Sequence, residues 1–166
     1  LSTGIYPCSG GTDGTDSPEA HMAFQKALEQ YCPNTVGYAG QEEEIKESYV
    51  TFVKRMRDTL GLKCQAVLYQ TAADYEGVIS VYNTVSGSVP GALVYWIAGL
   101  TAAADISVSL VNQSYQGELK VTVPADMEAC EAAAKLGHMV LYNVGGSVRI
   151  LCDINTLVTY LSLIHI

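Results

Sequence analysis

The residues with the most obvious chemical potential lie near the start of the chain. Ser9-Gly10-Gly11-Thr12-Asp13-Gly14-Thr15-Asp16 places glycines and aspartates ahead of a predicted helix. A glycine-rich loop in that position can cradle phosphate on free backbone amides. This one lacks the lysine of a Walker loop, and its glycine spacing is not that of a dinucleotide fingerprint. Asp13 and Asp16 would repel a phosphate unless a metal intervened. Their carboxylates and nearby carbonyls could hold calcium, although the EF-hand pattern is absent. The loop reads as structural, with an ion or ligand site as the alternative.

Nucleophilic chemistry would need Cys8 and His21 to meet Asp13 or Asp16, and nothing in the spacing fixes that geometry. His21 follows the predicted helix cap by four residues and reads as a surface or boundary residue. Five cysteines, Cys8, Cys32, Cys64, Cys130 and Cys152, form no CxxC pair, and His21, His138 and His165 are scattered. They read as reduced, mostly buried thiols of a cytosolic product. Glu42, Glu43 and Glu44 point in three directions on a helix, so they read as a solvated helix start and not an acid/base pair. Glu128 and Glu131 are the other paired carboxylates. No catalytic residue, cofactor or metal ligand is expected.

The charge balance narrows the partners. The chain has 166 residues and a net charge of −8, from 17 acidic and 9 basic residues. That argues against nucleic-acid binding, which requires cations to neutralise phosphates. Lys54, Arg55 and Arg57 lie near a predicted helix C-terminus, where they complement the helix dipole. The uncharged run 86–104 is interrupted by Gly87, Pro90, Gly91 and Gly99 and reads as a buried core helix, not a membrane span. Eleven tyrosines against one tryptophan and two phenylalanines lean slightly towards a protein interface. The chain begins at Leu1 without methionine or a basic leader. Residues 161–166 resemble a translated sequencing adapter. The sequence therefore reads as a truncated internal fragment.

The elements that would position these residues follow from periodicity. Ser17 caps a helix with Pro18 in its first position, and Pro33 ends it. A strand is expected over 35–39. A helix over 41–59 carries the apolar stripe Ile45, Tyr49, Phe52, Val53, Met56 and Leu60. Strands are expected over 64–69 and 77–82. A helix over 89–104 is apolar on nearly all sides and should be buried on nearly all sides. The first block is thus an α/β sheet with helices on its faces. Residues 107–117 read as a polar connection. A strand over 119–123, a helix over 127–136 and two strands around Gly145-Gly146 follow. We expect a boundary between an α/β core at 1–118 and the start of a small α+β domain at 119–160. The partners of its hairpin are expected to lie outside the chain.

Several stretches, in order, resemble contractile phage tail sheath proteins of the Gram-positive phage and prophage type. Gly10, Gly11, Asp13 and Gly14, followed by Ala20-His21 and Ala23-Phe24, are similar to a "GGTDG…AH..F..AL" segment. Residues 74–81, with Tyr75, Glu76 and Gly77, resemble a "DYEGVI" strand, and residues 89–99, with Pro90 and Gly91, resemble the helix after it. Tyr115-Gln116-Gly117, Gly145-Gly146 with residues 147–151, and Asp153 to Thr159 with Asn155 resemble a final hairpin and a "DINTLVT" strand. The resemblance covers about residues 5–160. It implies a sheath α/β core, called subtilisin-like for its fold alone, followed by the beginning of a C-terminal sheath domain. It implies a structural subunit of the virion tail, made in the host cytoplasm. Many copies would polymerise around the tail tube protein, contact baseplate and tail terminator proteins, and contract to drive the tube through the host envelope. No membrane insertion or enzyme activity is implied, and no serine-protease motif is present. The alternative is a small-molecule or nucleotide-binding α/β domain. It would use the 10–14 loop, which would have to follow a strand and face a pocket at a sheet edge.

Overall fold

Ser17 caps helix α1 (Pro18–Leu28), its hydroxyl accepting the Ala20 amide at 3.3 Å, while Pro18 takes a first position that needs no N–H. The computed structural model describes residues 10, 11, 14, 16–105 and 107–159. A 3-10 turn at Glu29–Tyr31 ends α1, and Cys32 adopts the left-handed region just before Pro33.

Strands β1 (Thr35–Tyr38), β2 (Gln65–Tyr69) and β3 (Val78–Val81) pair in parallel, with Val36 opposite Ala66 and Ala66 opposite Val78. Helix α2 (Glu43–Lys54) connects the first two. Alternate strand residues point to opposite faces, so each face collects its own core. Ala66, Leu68 and Val78 meet Ile45, Tyr49, Phe52, Val53 and Met56 on the α2 side. Val67, Tyr69, Ile79 and Val81 meet Leu93, Val94 and Ile97 of helix α3 (Leu93–Ala103) on the other. The expected α/β sheet with helices on its faces is present. A parallel sheet covered on both faces explains why β2 and β3 are apolar almost throughout.

Three local features differ from the sequence reading. Residues 55–59, expected as α-helix, form a π turn, with Met56 buried, Arg55 exposed and Arg57 largely buried, its guanidinium donating to the Cys64 carbonyl and to Glu76. Helix α3 begins at Leu93 and not at residue 89. Pro90 to Ala92 form a turn whose Pro90 carbonyl accepts the Val85 amide of β4 (Thr84–Ser86). The α3 helix is also open on one side: Tyr95 is 62% exposed and Gly99, Ala102 and Ala103 are exposed. Small residues let it lie close to the sheet on one face, and nothing in the described chain covers the opposite one.

The second block is woven into the first. Strand β5 (Lys120–Thr122) pairs antiparallel with β4, and β6 (His138–Met139) joins β3 in parallel, giving the order β1-β2-β3-β6. Both pairings cross the boundary expected at 118/119. Helix α4 (Met127–Lys135) is capped by Asp126, which accepts the Ala129 amide at 2.8 Å. The hairpin of β7 (Leu141–Val144) and β8 (Ser147–Ile150) turns on Gly145 and Gly146, both at positive φ, as a two-residue turn requires. Its free edge is occupied from within the chain: residues 112–115 exchange backbone hydrogen bonds with Val148 and Ile150 of β8. On the β8 side the hairpin is therefore partnered within the described residues. The segment looked like a linker because its pairing uses backbone groups and leaves no apolar alternation.

Candidate functional site

Gly10, Gly11 and Gly14 are exposed, and a side chain at any of them would meet no atom within 4 Å. Asp13 and Cys8 lie outside the described residues. None of the described strands leads into this loop, which ends at α1. Asp16 is held there: its carboxylate lies 2.7 Å from His21 Nε2, and His21 Nδ1 lies 3.1 Å from the Tyr49 hydroxyl. A carboxylate only accepts, so Nε2–H donates to it, and in the neutral imidazole the Tyr49 O–H donates to Nδ1. Tyr38 stacks on Tyr49, and its hydroxyl donates to Glu42 at 2.8 Å. His21 meets both rings edge-on.

An Asp–His–Tyr chain has the form of a proton relay, but this one ends on a buried phenol. Burial first, then the charges of Tyr95 and Asp16, push Tyr49 up to about 12, and burial with Glu42 raises Tyr38 as well. A phenol held protonated and out of solvent presents no base to a substrate. The cluster braces the loop, α1, α2 and β1 against one another. His21 is thus a boundary residue with a defined structural task.

Ligands of open parallel sheets bind beyond the carboxyl ends of the strands, where the strand order reverses. Here the described order runs in one direction, and that end is filled. Gly91 packs against the Ala39 carbonyl, and a Cβ on it would lie 2.8 Å from Tyr69 Cβ. The Tyr69 hydroxyl bonds Thr84 Oγ1 at 2.9 Å. Pro90 and Gly91 therefore serve a tight turn that plugs the sheet end. A groove of about 510 Å³ runs between α1 and α2, lined by Met22, Gln25, Glu44, Glu47, Phe52 and Arg55. Four of its polar residues are paired with one another, Gln25 with Ser48 and Arg55 with both oxygens of Glu29. The strand that the ligand-binding alternative requires would lie before residue 10, outside the described residues, and most of the 10–14 loop's neighbourhood lies outside them as well.

The remaining motif residues make structural contacts. Glu76 pairs with Arg57 at 2.5 Å, and Tyr75 donates to Asp58 at 2.8 Å. A side chain on Gly77 would collide with Arg57 and Val53. Asp153 accepts the Leu110 amide at 3.0 Å, and Asn155 accepts the Leu157 amide at 3.0 Å. Cys64, Cys130 and Cys152 are free thiols whose pKa burial raises, which keeps them protonated and unreactive. Among the described residues no group of three or more His, Cys, Asp or Glu is placed to hold a metal ion. No described helix is long and apolar enough to cross a membrane.

What this site-poor architecture corresponds to is decided by comparison. The model of the phage tail sheath protein central domain matches residues 14–156. The chain belongs to the phage tail sheath family. The sheath match runs across the 118/119 position without a break, as the strand pairing does. Among curated relatives, the PBSX phage-like element protein XkdK of Bacillus subtilis is 31% identical over 92% of this chain and 34% of its own length. Protein YqbK of the same organism is 34% identical over 68% of this chain and 26% of its own. The tail sheath protein of Clostridium phage phiCD119 is 28% identical over 70% of this chain and 34% of its own. The crystal structure of a sheath tail protein from Desulfitobacterium hafniense superposes with a TM-score of 0.82 at 33% identity, over 92% of this chain and 38% of that one. One from Listeria innocua gives 0.81 at 31% identity, over 90% and 36%. The chain thus spans about a third or less of the length of the curated relatives it matches.

Three contributors to this arrangement, Asn83, Asp74 and Thr156, had no individual role in the sequence reading. Asn83 is buried and bonds both backbone groups of Leu141 and the Thr122 carbonyl. Asp74 and Thr156 join loop 70–77 to the end of the chain. Asp74 stood inside a recognised motif, whereas a lone asparagine after a strand gives no signal.

Proposed function

We propose that this chain is the central part of a structural subunit of a contractile tail sheath, as the family match over residues 14–156 supports. Copies of the full-length subunit polymerise around the tail tube protein in a helical, heterologous array bounded by baseplate and tail terminator proteins. Contraction switches those copies between two packings and drives the tube through the host envelope, with no bond chemistry in this domain. The subunit is made in the host cytoplasm and resides in the virion tail. The interlocked interior, with a plugged sheet end and engaged polar groups, suits a rigid body that moves as a unit.

Negative-stain electron microscopy of the full-length parent protein, expressed alone, tests this reading. Hollow tubes or stacked rings are expected without any tube protein. A monodisperse small particle at high concentration would overturn it.

A further inference from the structure

Loop 70–77 holds two non-glycine residues in the left-handed region, Gln70 at φ 45° and Asp74 at φ 47°. Such a backbone costs about 1 kcal/mol or more and persists only where surrounding contacts hold it. At Asp74 the contacts are explicit. Its Oδ1 accepts the amides of Val158 and Thr159, both at 2.9 Å, and its Oδ2 accepts the Thr159 hydroxyl. These bonds hold the Asp74 carboxyl below the usual carboxylate range, the Thr159 hydroxyl contributing most. One residue further on, Thr156 binds Tyr75 twice: its hydroxyl accepts the Tyr75 amide at 3.2 Å and donates to the Tyr75 carbonyl at 3.0 Å. The Thr156 amide donates to the Val78 carbonyl at 2.9 Å.

The two halves differ in exposure. Thr156 is buried, with its Cα 3.0 Å from the Cβ position of Gly137 at the end of α4. Asp74 and its bonds to residues 158 and 159 face solvent. The loop itself is anchored on its other side by the Arg57–Glu76 pair and the Tyr75–Asp58 bond. The family match ends at residue 156, between the two halves.

We propose that Asp74 and Thr156 form a two-stage latch at the exit of the central domain. Thr156 is its fixed stage. Asp74 is a releasable stage that sets the direction of residues 157–159 and opens without unfolding the domain. Its placement at a domain exit rests on the sheath reading; the latch itself does not.

Amide hydrogen exchange by NMR on the 166-residue chain tests it. Asp74→Gly keeps a backbone that favours positive φ and removes both acceptor oxygens. The Val158 and Thr159 amides should then exchange about tenfold faster or more, while Thr156, Val67 and Ile79 stay within about twofold of wild type. Asp74→Asn retains one acceptor oxygen and tolerates positive φ, so it should restore most of the protection. Unchanged exchange at Val158 and Thr159 in Asp74→Gly would remove the latch. Equal acceleration at Val67 and Ile79 would also remove it, by making Asp74 a contributor to global stability only. If the parent protein failed to form tubes while these amides behaved as expected, the sheath reading would fall and the latch would stand.

Discussion

Ser80 sits in the middle of β3 with no exposure to solvent. Its hydroxyl accepts the Thr71 amide at 2.8 Å and lies 2.7 Å from His138 Nδ1 on β6. With the hydroxyl proton directed to Nδ1, the imidazole is neutral, and burial lowers its pKa below the ordinary 6.5. The Tyr82 ring faces it at 5.8 Å, and its own carbonyl takes a weak bond from Cys152 Sγ. A base with a lowered folded-state pKa leaves the unfolded state binding more protons below the unfolded value. Stability is therefore complete above about pH 6.5 and declines as the pH falls towards the folded-state value. Urea unfolding at pH 7.5 and 5.5 should show a larger loss for wild type than for His138→Asn; equal losses would exclude His138 as the source. Neither Ser80 nor Asn83 was legible in the sequence. A single polar residue inside an apolar strand gains meaning only from the atom that faces it.

Elements were more legible than their ends. Helix α1 was fixed at its start by Ser17 and Pro18, because a cap is a local hydrogen bond between neighbours in sequence. The α2 stripe placed that helix on the sheet, yet its last turn widened to π geometry because Met56 and the two arginines are claimed by different surroundings. The hairpin was visible in Gly145-Gly146, since both positions need positive φ. Gly146→Val places a β-branched residue at φ 86° and should destabilise the chain by about 1–2 kcal/mol in thermal unfolding. Gly145→Asn, at φ 57°, should be close to neutral, because asparagine visits this region readily. An unchanged melting temperature for Gly146→Val would show that the turn geometry is not required.

At the scale of the whole molecule, one core cluster joins Val81, Leu93 and Ile97 to Met139, Leu141 and Ile150. A chain ended at residue 118 would lose β5 to β8 and expose that face of the sheet. It should show no cooperative unfolding transition and should bind an apolar dye, whereas residues 1–160 should unfold cooperatively. A stable, two-state 1–118 fragment would support the boundary expected from the sequence. That expectation arose from a real change in composition after Asp105. Composition records what each stretch exposes, but not which distant stretch its backbone pairs with. By itself the sequence determined the α/β class, the capped helices, the glycine turn and the ordered motifs of a sheath protein, because these depend on local hydrogen bonding, periodicity and residue order. Only the tertiary structure decided that β6 completes the first sheet, that residues 112–115 close the hairpin edge, that the Asp16–His21–Tyr49 chain is a brace, and that Asp74 grips Thr159. Each of these joins residues far apart in the chain through backbone groups or single polar atoms, which leave no periodic trace in the sequence.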